Sequence, residues 1–88
     1  MNIIQTPLFK KQKKKLHTNQ IKILDKAVSA IAKNSAVGEL KKGDLAGVRV
    51  YKFNMINQEY LLAYTETKKQ IALLTFATHE NFYKNLKK

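Results

Sequence analysis

The sequence contains no cysteine and no tryptophan, and only three glycines and one proline among 88 residues. Without cysteine, a disulfide framework, thiolate chemistry and a cysteine-ligated zinc site are excluded. No apolar run is long enough to span a bilayer, and the N-terminal stretch MNIIQTPLF does not have the layout of a signal peptide. We therefore expect a cytoplasmic protein without a membrane partner that forms a single domain over residues 1–88.

Acidic residues are also scarce. Six Asp and Glu stand against seventeen Lys and Arg, which gives a formal net charge of +11. A field of this strength concentrates polyanions around a protein. Arg49 is the only arginine, and lysine suits phosphate contacts better than the reading of base edges. The composition favours RNA or a ribonucleoprotein as partner over sequence-specific DNA, the alternative being that the lysines only confer solubility.

The first half of the chain predicts a strand followed by two helices. Residues 2–5 suit a short strand, and Thr6 with Pro7 forms an N-cap and a first helical position. A lysine-rich helix is expected next, and then a second helix capped by Thr18 or Asn19. The second helix is predicted from apolar residues spaced three and four apart, namely Ile21, Leu24, Val28 and Ile31. Joined by a short turn, the two helices form a hairpin that can cover a sheet.

The second half predicts three strands and a short helix. All three glycines fall in GELKKGDLAG, which we interpret as a loop without the spacing of a nucleotide-binding P-loop. VRVYKFNM, EYLLAYTE and QIALLTFA then predict antiparallel strands, and HENFYKNLKK predicts a helix with Phe82 and Leu86 on one side. The predicted fold is α+β, in the order β-α-α-β-β-β-α. It consists of a small antiparallel β-sheet with an N-terminal helical hairpin on one face and a short C-terminal helix.

Four segments in succession carry a resemblance to a known family: TPLFKKQKKKL, GDLAGVRVYKF, EYLLAY and HENFYKNLKK. Together they resemble the RelE/ParE toxins of bacterial type II toxin–antitoxin systems over nearly the whole chain. The resemblance implies a RelE-like fold and a toxin held inactive by an acidic, partly disordered segment of a cognate antitoxin. It also implies that operator DNA is contacted only through the antitoxin complex. RelE-like members cleave mRNA on the ribosome and ParE-like members poison DNA gyrase. Both targets stay open, as does a non-catalytic RNA-binding module.

The resemblance also indicates where a reactive site would lie. RelE-like nucleases have basic residues on a strand, an arginine after a tyrosine of the next strand, and a basic residue with a tyrosine near the C-terminus. Lys52 and Arg49 fit the strand, although alternation along it directs them to opposite faces. His79 and Tyr83 fit the C-terminal pair. The expected arginine is replaced by Leu61.

The activity implied is that of an endoribonuclease that uses neither a metal nor a cofactor and that inhibits translation. His79 can act as acid or base, Lys52 and Arg49 can stabilise charge on the phosphate, and Tyr83 can position a base. Each also has a structural interpretation, such as helix capping for His79. A further set of lysines is expected to contact phosphates of RNA or the ribosome, with a solvated surface as the alternative. These are Lys10, Lys11, Lys13, Lys14, Lys15, Lys41 and Lys42.

Overall fold

A computed structural model describes residues 2–86, and in these residues the predicted α+β class is confirmed, with the predicted elements in the predicted order and one additional short strand. Residues 87 and 88 of the predicted C-terminal helix lie outside them. The strands are β1 (Asn2–Gln5), β2 (Glu39–Leu40), β3 (Arg49–Asn54), β4 (Glu59–Glu66) and β5 (Gln70–Thr78). The helices are α1 (Pro7–Lys14), α2 (Thr18–Lys33) and α3 (His79–Leu86), and 3₁₀ turns span Ser35–Val37 and Gly43–Leu45. None of these helices is long and apolar enough to cross a membrane.

The five strands form one sheet in the order β1-β5-β4-β3-β2. The β3–β4 and β4–β5 pairs are antiparallel, as predicted, whereas β1 pairs with β5 in parallel, which makes the sheet mixed rather than wholly antiparallel. Strand β2 was not predicted, because it lies in the segment interpreted as a loop. Two residues are too few to show the alternation by which a strand is recognised. The strand forms because Glu39 and Leu40 pair with Val50 and Arg49 of β3.

Apolar side chains cover both faces of the sheet. Helices α1 and α2 cover one face, here called the hairpin face, and α3 covers the opposite one, here called the α3 face. This double cover explains the nearly continuous apolar runs of β4 and β5, whose apolar residues are buried or half-buried whichever face they point to. On the hairpin face the buried core consists of Phe9, Leu24, Ala27, Ile31, Leu62, Tyr64, Ile71, Leu73 and Phe76. On the α3 face it consists of Val50, Leu61, Ala63 and Phe82.

Side-chain caps set the starts of the two N-terminal helices. Thr6 caps α1 as predicted, accepting a hydrogen bond from a backbone N–H of the first turn. The N-cap of α2 is His17 rather than Thr18 or Asn19. The Gln20 side chain accepts a hydrogen bond from the His17 N–H at 2.8 Å. A glutamine at the third helical position accepts a hydrogen bond from the backbone N–H of the N-cap residue. This bond therefore fixes His17 as the N-cap and Thr18 as the first residue of α2.

Candidate functional site

His79 and Tyr83 lie one turn apart on α3, and their rings are in contact. The ring centroids are 5.1 Å apart, with an angle of 61° between the planes, which is a favourable edge-to-face arrangement. The Thr78 hydroxyl accepts a hydrogen bond from the Asn81 N–H at 3.3 Å and so caps the helix. His79 is exposed, and its side chain is not needed as the cap.

Lys41 reaches Tyr83 from the segment that follows β2. Its Nζ lies 5.9 Å from the centre of the Tyr83 ring, within the range of a cation–π contact. The Glu39 carboxylate lies 2.5 Å from the same Nζ, because residues two apart in an extended segment point to the same face. The hydrogen bond that Lys41 donates to Glu39, followed by the contact with Tyr83, raises the pKa of Lys41. This ammonium group therefore stays charged at neutral pH.

Lys52 lies on the same face in the neighbouring strand β3. It is exposed, and it stands opposite Leu61 in the register with β4. The pKa of Glu39 lies below its ordinary value, first because Lys41 donates a hydrogen bond to the carboxylate and places a positive charge beside it, and then because Lys52 is also positively charged. A shallow cavity of about 280 Å³ opens beside these groups and is lined by Val37, Glu39, Val50, Tyr51 and Lys52.

Leu61 occupies the position at which the family resemblance expects an arginine. Its side chain is completely buried, in a cluster with Val50, Ala63 and Phe82. A cation cannot be accommodated there without displacing the α3 packing, because an unpaired buried charge is costly. This position therefore contributes packing, and no positive charge, to the α3 face.

Arg49 lies on the hairpin face, away from Lys52, as strand alternation predicts. Its Nε donates a hydrogen bond to Glu66 at 2.6 Å, and its terminal nitrogen donates one to the Gly38 carbonyl at 2.8 Å. Hydrogen bonding from Ser35, and then from Arg49, lowers the pKa of Glu66. These bonds fasten the residue before β2 to the sheet. The structure does not bring Arg49 together with the other residues predicted to be catalytic.

The lysines of the first helical segment lie on the hairpin side of the molecule, behind the sheet as seen from His79. Lys13 is half-buried, and its Nζ lies 3.1 Å from a carboxylate oxygen of Asp25, which joins α1 to α2. Lys42 is exposed beside Lys41. The other lysines predicted to contact RNA or the ribosome are also exposed, namely Lys10, Lys11, Lys14 and Lys15.

The α3 face thus combines an imidazole, a phenol and two ammonium groups with one carboxylate. Ammonium groups bind phosphate, and an imidazole exchanges protons near neutral pH. Glu39 was not predicted from the sequence. The signal that could have indicated it is the spacing of Glu39 and Lys41, because opposite charges two residues apart can pair on one face of an extended segment. Within residues 2–86, no group of three or more His, Asp or Glu side chains is placed to hold a metal ion.

Comparison with known proteins gives a family match and several similar solved structures. The family model described as "ParE-like toxin of type II bacterial toxin-antitoxin system" matches residues 3–87. A chain in the crystal structure of the intact E. coli RelBE toxin–antitoxin complex is similar with a TM-score of 0.68 and 14% identity, over 88% of this chain and 94% of that one. The isolated E. coli RelE toxin is similar with a TM-score of 0.67 and 14% identity, over 98% of this chain and 95% of that one. A search of curated proteins finds no match.

Proposed function

Because the chain belongs to the ParE-like toxins of type II bacterial toxin–antitoxin systems, we propose that it inhibits translation by cleaving mRNA on the ribosome. The observation that carries this proposal is the contact between the His79 and Tyr83 rings on a face that also holds Lys41 and Lys52. An imidazole next to a stacking ring and two cations is a suitable combination for RNA cleavage. A net charge of +11 adds a general attraction for RNA.

The proposed reaction is attack by a ribose 2′-oxygen on the adjacent phosphorus, with cleavage of the bond from phosphorus to the 5′-oxygen. The 2′-hydroxyl loses a proton and the 5′-oxygen gains one, so the products carry a 2′,3′-cyclic phosphate and a 5′-hydroxyl. His79 performs one of these proton transfers, and water performs the other. Lys52 stabilises the negative charge that develops on the phosphate oxygens. Tyr83 holds a neighbouring base by stacking.

A cognate antitoxin is the partner of a toxin in this family. We infer that its toxin-binding segment is acidic, because a +11 surface attracts such a segment and repels a basic one. Covering the α3 face would block access of RNA to His79 and Lys41. Operator DNA is then contacted through the antitoxin complex.

Gyrase poisoning is the second candidate, and Leu61 is the observation that favours it. The family resemblance places an arginine of the nuclease branch at this position, and here the side chain is buried and uncharged. The matching family model is also described as ParE-like. A toxin directed at gyrase needs no proton-transfer group, so His79 would then be dispensable.

A paired assay on one preparation of the protein separates these two functions. Purified toxin is added to bacterial 70S ribosomes that carry a defined mRNA, and new mRNA ends are mapped by primer extension. The same preparation is added to purified gyrase with relaxed plasmid. We expect new mRNA ends only in the presence of ribosomes and unchanged supercoiling. Loss of supercoiling without new mRNA ends would contradict the nuclease proposal and support the gyrase alternative.

A further inference from the structure

The α3 face lacks one positive charge that the family resemblance expects, at Leu61. Cleavage by a 2′-oxygen places extra negative charge on the phosphate oxygens in the transition state, and a fixed cation next to those oxygens accelerates the reaction. The buried cluster around Leu61 and Phe82 cannot supply it. A cation from another strand can do so if its side chain is held beside the His79 and Tyr83 rings.

We propose that Lys41 is a catalytic residue that supplies this charge, and that Glu39 is a positioning residue that holds the Lys41 ammonium beside Tyr83. The inference rests on the nuclease function proposed above. Lys41 lies on the segment after β2, two strands away from the expected arginine in β4. Its Nζ nevertheless lies 5.9 Å from the centre of the Tyr83 ring.

Lys41 does not behave as a surface lysine that only confers solubility. Only 22% of its side chain is exposed, whereas the adjacent Lys42 extends into solvent. Lysine loses much side-chain entropy when it is ordered, so a fixed lysine needs specific partners. Here the partners are the Glu39 carboxylate at 2.5 Å and the Tyr83 ring.

The segment that carries Glu39 and Lys41 is anchored on both sides. Before β2, the Gly38 N–H donates a hydrogen bond to the Tyr64 hydroxyl at 2.9 Å, and the Gly38 carbonyl accepts one from Arg49 at 2.8 Å. After β2, the Lys41 N–H donates to the Val48 carbonyl at 2.9 Å. A charge fixed in this way needs no reorganisation when negative charge develops on the phosphate.

Lys41 acts in this proposal as a charge and not as a proton donor. The 2′-oxygen forms its bond to phosphorus, the 5′-oxygen leaves, and the Lys41 ammonium keeps all its protons throughout. Its raised pKa fits this role. Glu39 remains ionised and touches Lys41 rather than the RNA.

The test measures single-turnover cleavage of mRNA on 70S ribosomes at saturating toxin, with ribosome binding measured separately. For Lys41→Ala we expect a cleavage rate lowered about 100-fold, with binding changed by less than about threefold. Lys41→Arg should recover most of the rate, and Glu39→Gln should lose about tenfold by loosening the ammonium. The matched control is Lys26→Ala, which removes an exposed lysine of α2 on the opposite face and should leave the rate unchanged.

The outcomes distinguish this inference from the function on which it rests. A Lys41→Ala protein that cleaves at the wild-type rate at saturation, or that loses only ribosome affinity, would overturn the inference. Wild-type protein that cuts no mRNA in the same assay would contradict the nuclease function itself. Should Lys41→Ala disturb the packing of α3 as seen by circular dichroism, Lys41→Gln keeps most of the aliphatic stem over Tyr83 and tests the charge alone.

Discussion

The Tyr64 hydroxyl accepts a hydrogen bond from the backbone N–H of Gly38 at 2.9 Å. It donates its own proton to the Ser35 carbonyl at 2.7 Å, and the whole side chain is buried, which raises its pKa. A side chain at position 38 has no room, because an added Cβ would lie 2.6 Å from this hydroxyl oxygen. Tyr64 thereby links the core of the hairpin face to the segment that carries Glu39 and Lys41.

Tyr64→Phe should lower the free energy of unfolding by about 2 kcal/mol, because it leaves the buried Gly38 N–H and the partly buried Ser35 carbonyl without this partner. Denaturant unfolding measures this difference. Tyr60→Phe is the matched control, since it removes the same atom from a half-buried ring packed against the same core. Its effect should stay below about 0.5 kcal/mol. Equal losses of unfolding free energy in the two variants would show that the bonds to Gly38 and Ser35 do not contribute to stability beyond the effect of removing a hydroxyl.

Arg49→Gln should reduce stability and spare catalysis. The guanidinium holds Glu66 and the Gly38 carbonyl on the hairpin face, and losing hydrogen bonds of a charged group costs about 1.5–3 kcal/mol. The folded variant should still cleave mRNA within about threefold of wild type, because Gly38 keeps its bond to Tyr64. The Lys41 ammonium also keeps Glu39 and Tyr83 as partners. Cleavage assayed well below the midpoint of thermal unfolding checks this. A loss of cleavage as large as that of a Lys52→Ala variant would indicate that Arg49 takes part in catalysis after all.

Glu66 should make stability depend on pH at the acid end. Its pKa in the folded protein lies below the ordinary value of 4.5, so the carboxylate contributes stability that is fully present above that value. This contribution is lost as the pH falls through the lowered pKa, because the unfolded chain binds the proton first. The unfolding free energies of wild type and Glu66→Gln should therefore converge below pH 4.5. In an Arg49→Gln background, the difference in unfolding free energy that Glu66→Gln produces should depend less on pH. A difference that stays constant with pH in the wild-type background would contradict the lowered pKa of Glu66.

The elements that the sequence predicts correctly are those with local periodicity. The stripe through Leu24 and Ile31 and the apolar runs of β4 and β5 report burial directly, so α2 and the central strands are predicted with nearly their observed bounds. The alternation in β3 also separates Arg49 from Lys52. Spacing places His79 and Tyr83 on one side of a helix without any tertiary information.

The features that the sequence could not predict depend on contacts between distant segments. The two residues of β2 carry no pattern of their own and become a strand only by pairing with β3. The contact of Lys41 with Tyr83 requires both that pairing and the docking of α3 through Phe82. The parallel pairing of β1 with β5 likewise joins the two ends of the chain. None of these can be inferred from neighbouring residues alone.

The exposed lysines of the first helical segment should contribute to ribosome binding through phosphates. Replacing Lys10, Lys11, Lys14 and Lys15 by glutamine should leave the free energy of unfolding unchanged. It should reduce the slope with which the logarithm of the ribosome-binding constant falls with the logarithm of the salt concentration. Each lost contact should reduce the slope by roughly 0.7–0.9. Lys13 is left in place because it pairs with Asp25. The control replaces Lys22, Lys26 and Lys33 on α2, and an equal change of slope per lysine in both sets would indicate a nonspecific effect of charge.

His79→Ala should abolish toxicity while leaving stability and antitoxin binding close to wild type. The side chain is exposed and Thr78 caps the helix in its place, so we expect a stability loss within about 0.5 kcal/mol. A general acid or base contributes about 10²–10⁴-fold in rate, which single-turnover cleavage would detect. Tyr83→Phe keeps the ring against His79 and Lys41 and should retain activity within about threefold, because stacking does not need the hydroxyl.

His17→Ala removes the other histidine and is the control for the loss of an imidazole elsewhere in the protein. This variant should stay toxic. A fully toxic His79→Ala protein that inhibits gyrase would replace the nuclease function with gyrase poisoning, and one that fails to fold would show that His79 serves the structure of α3.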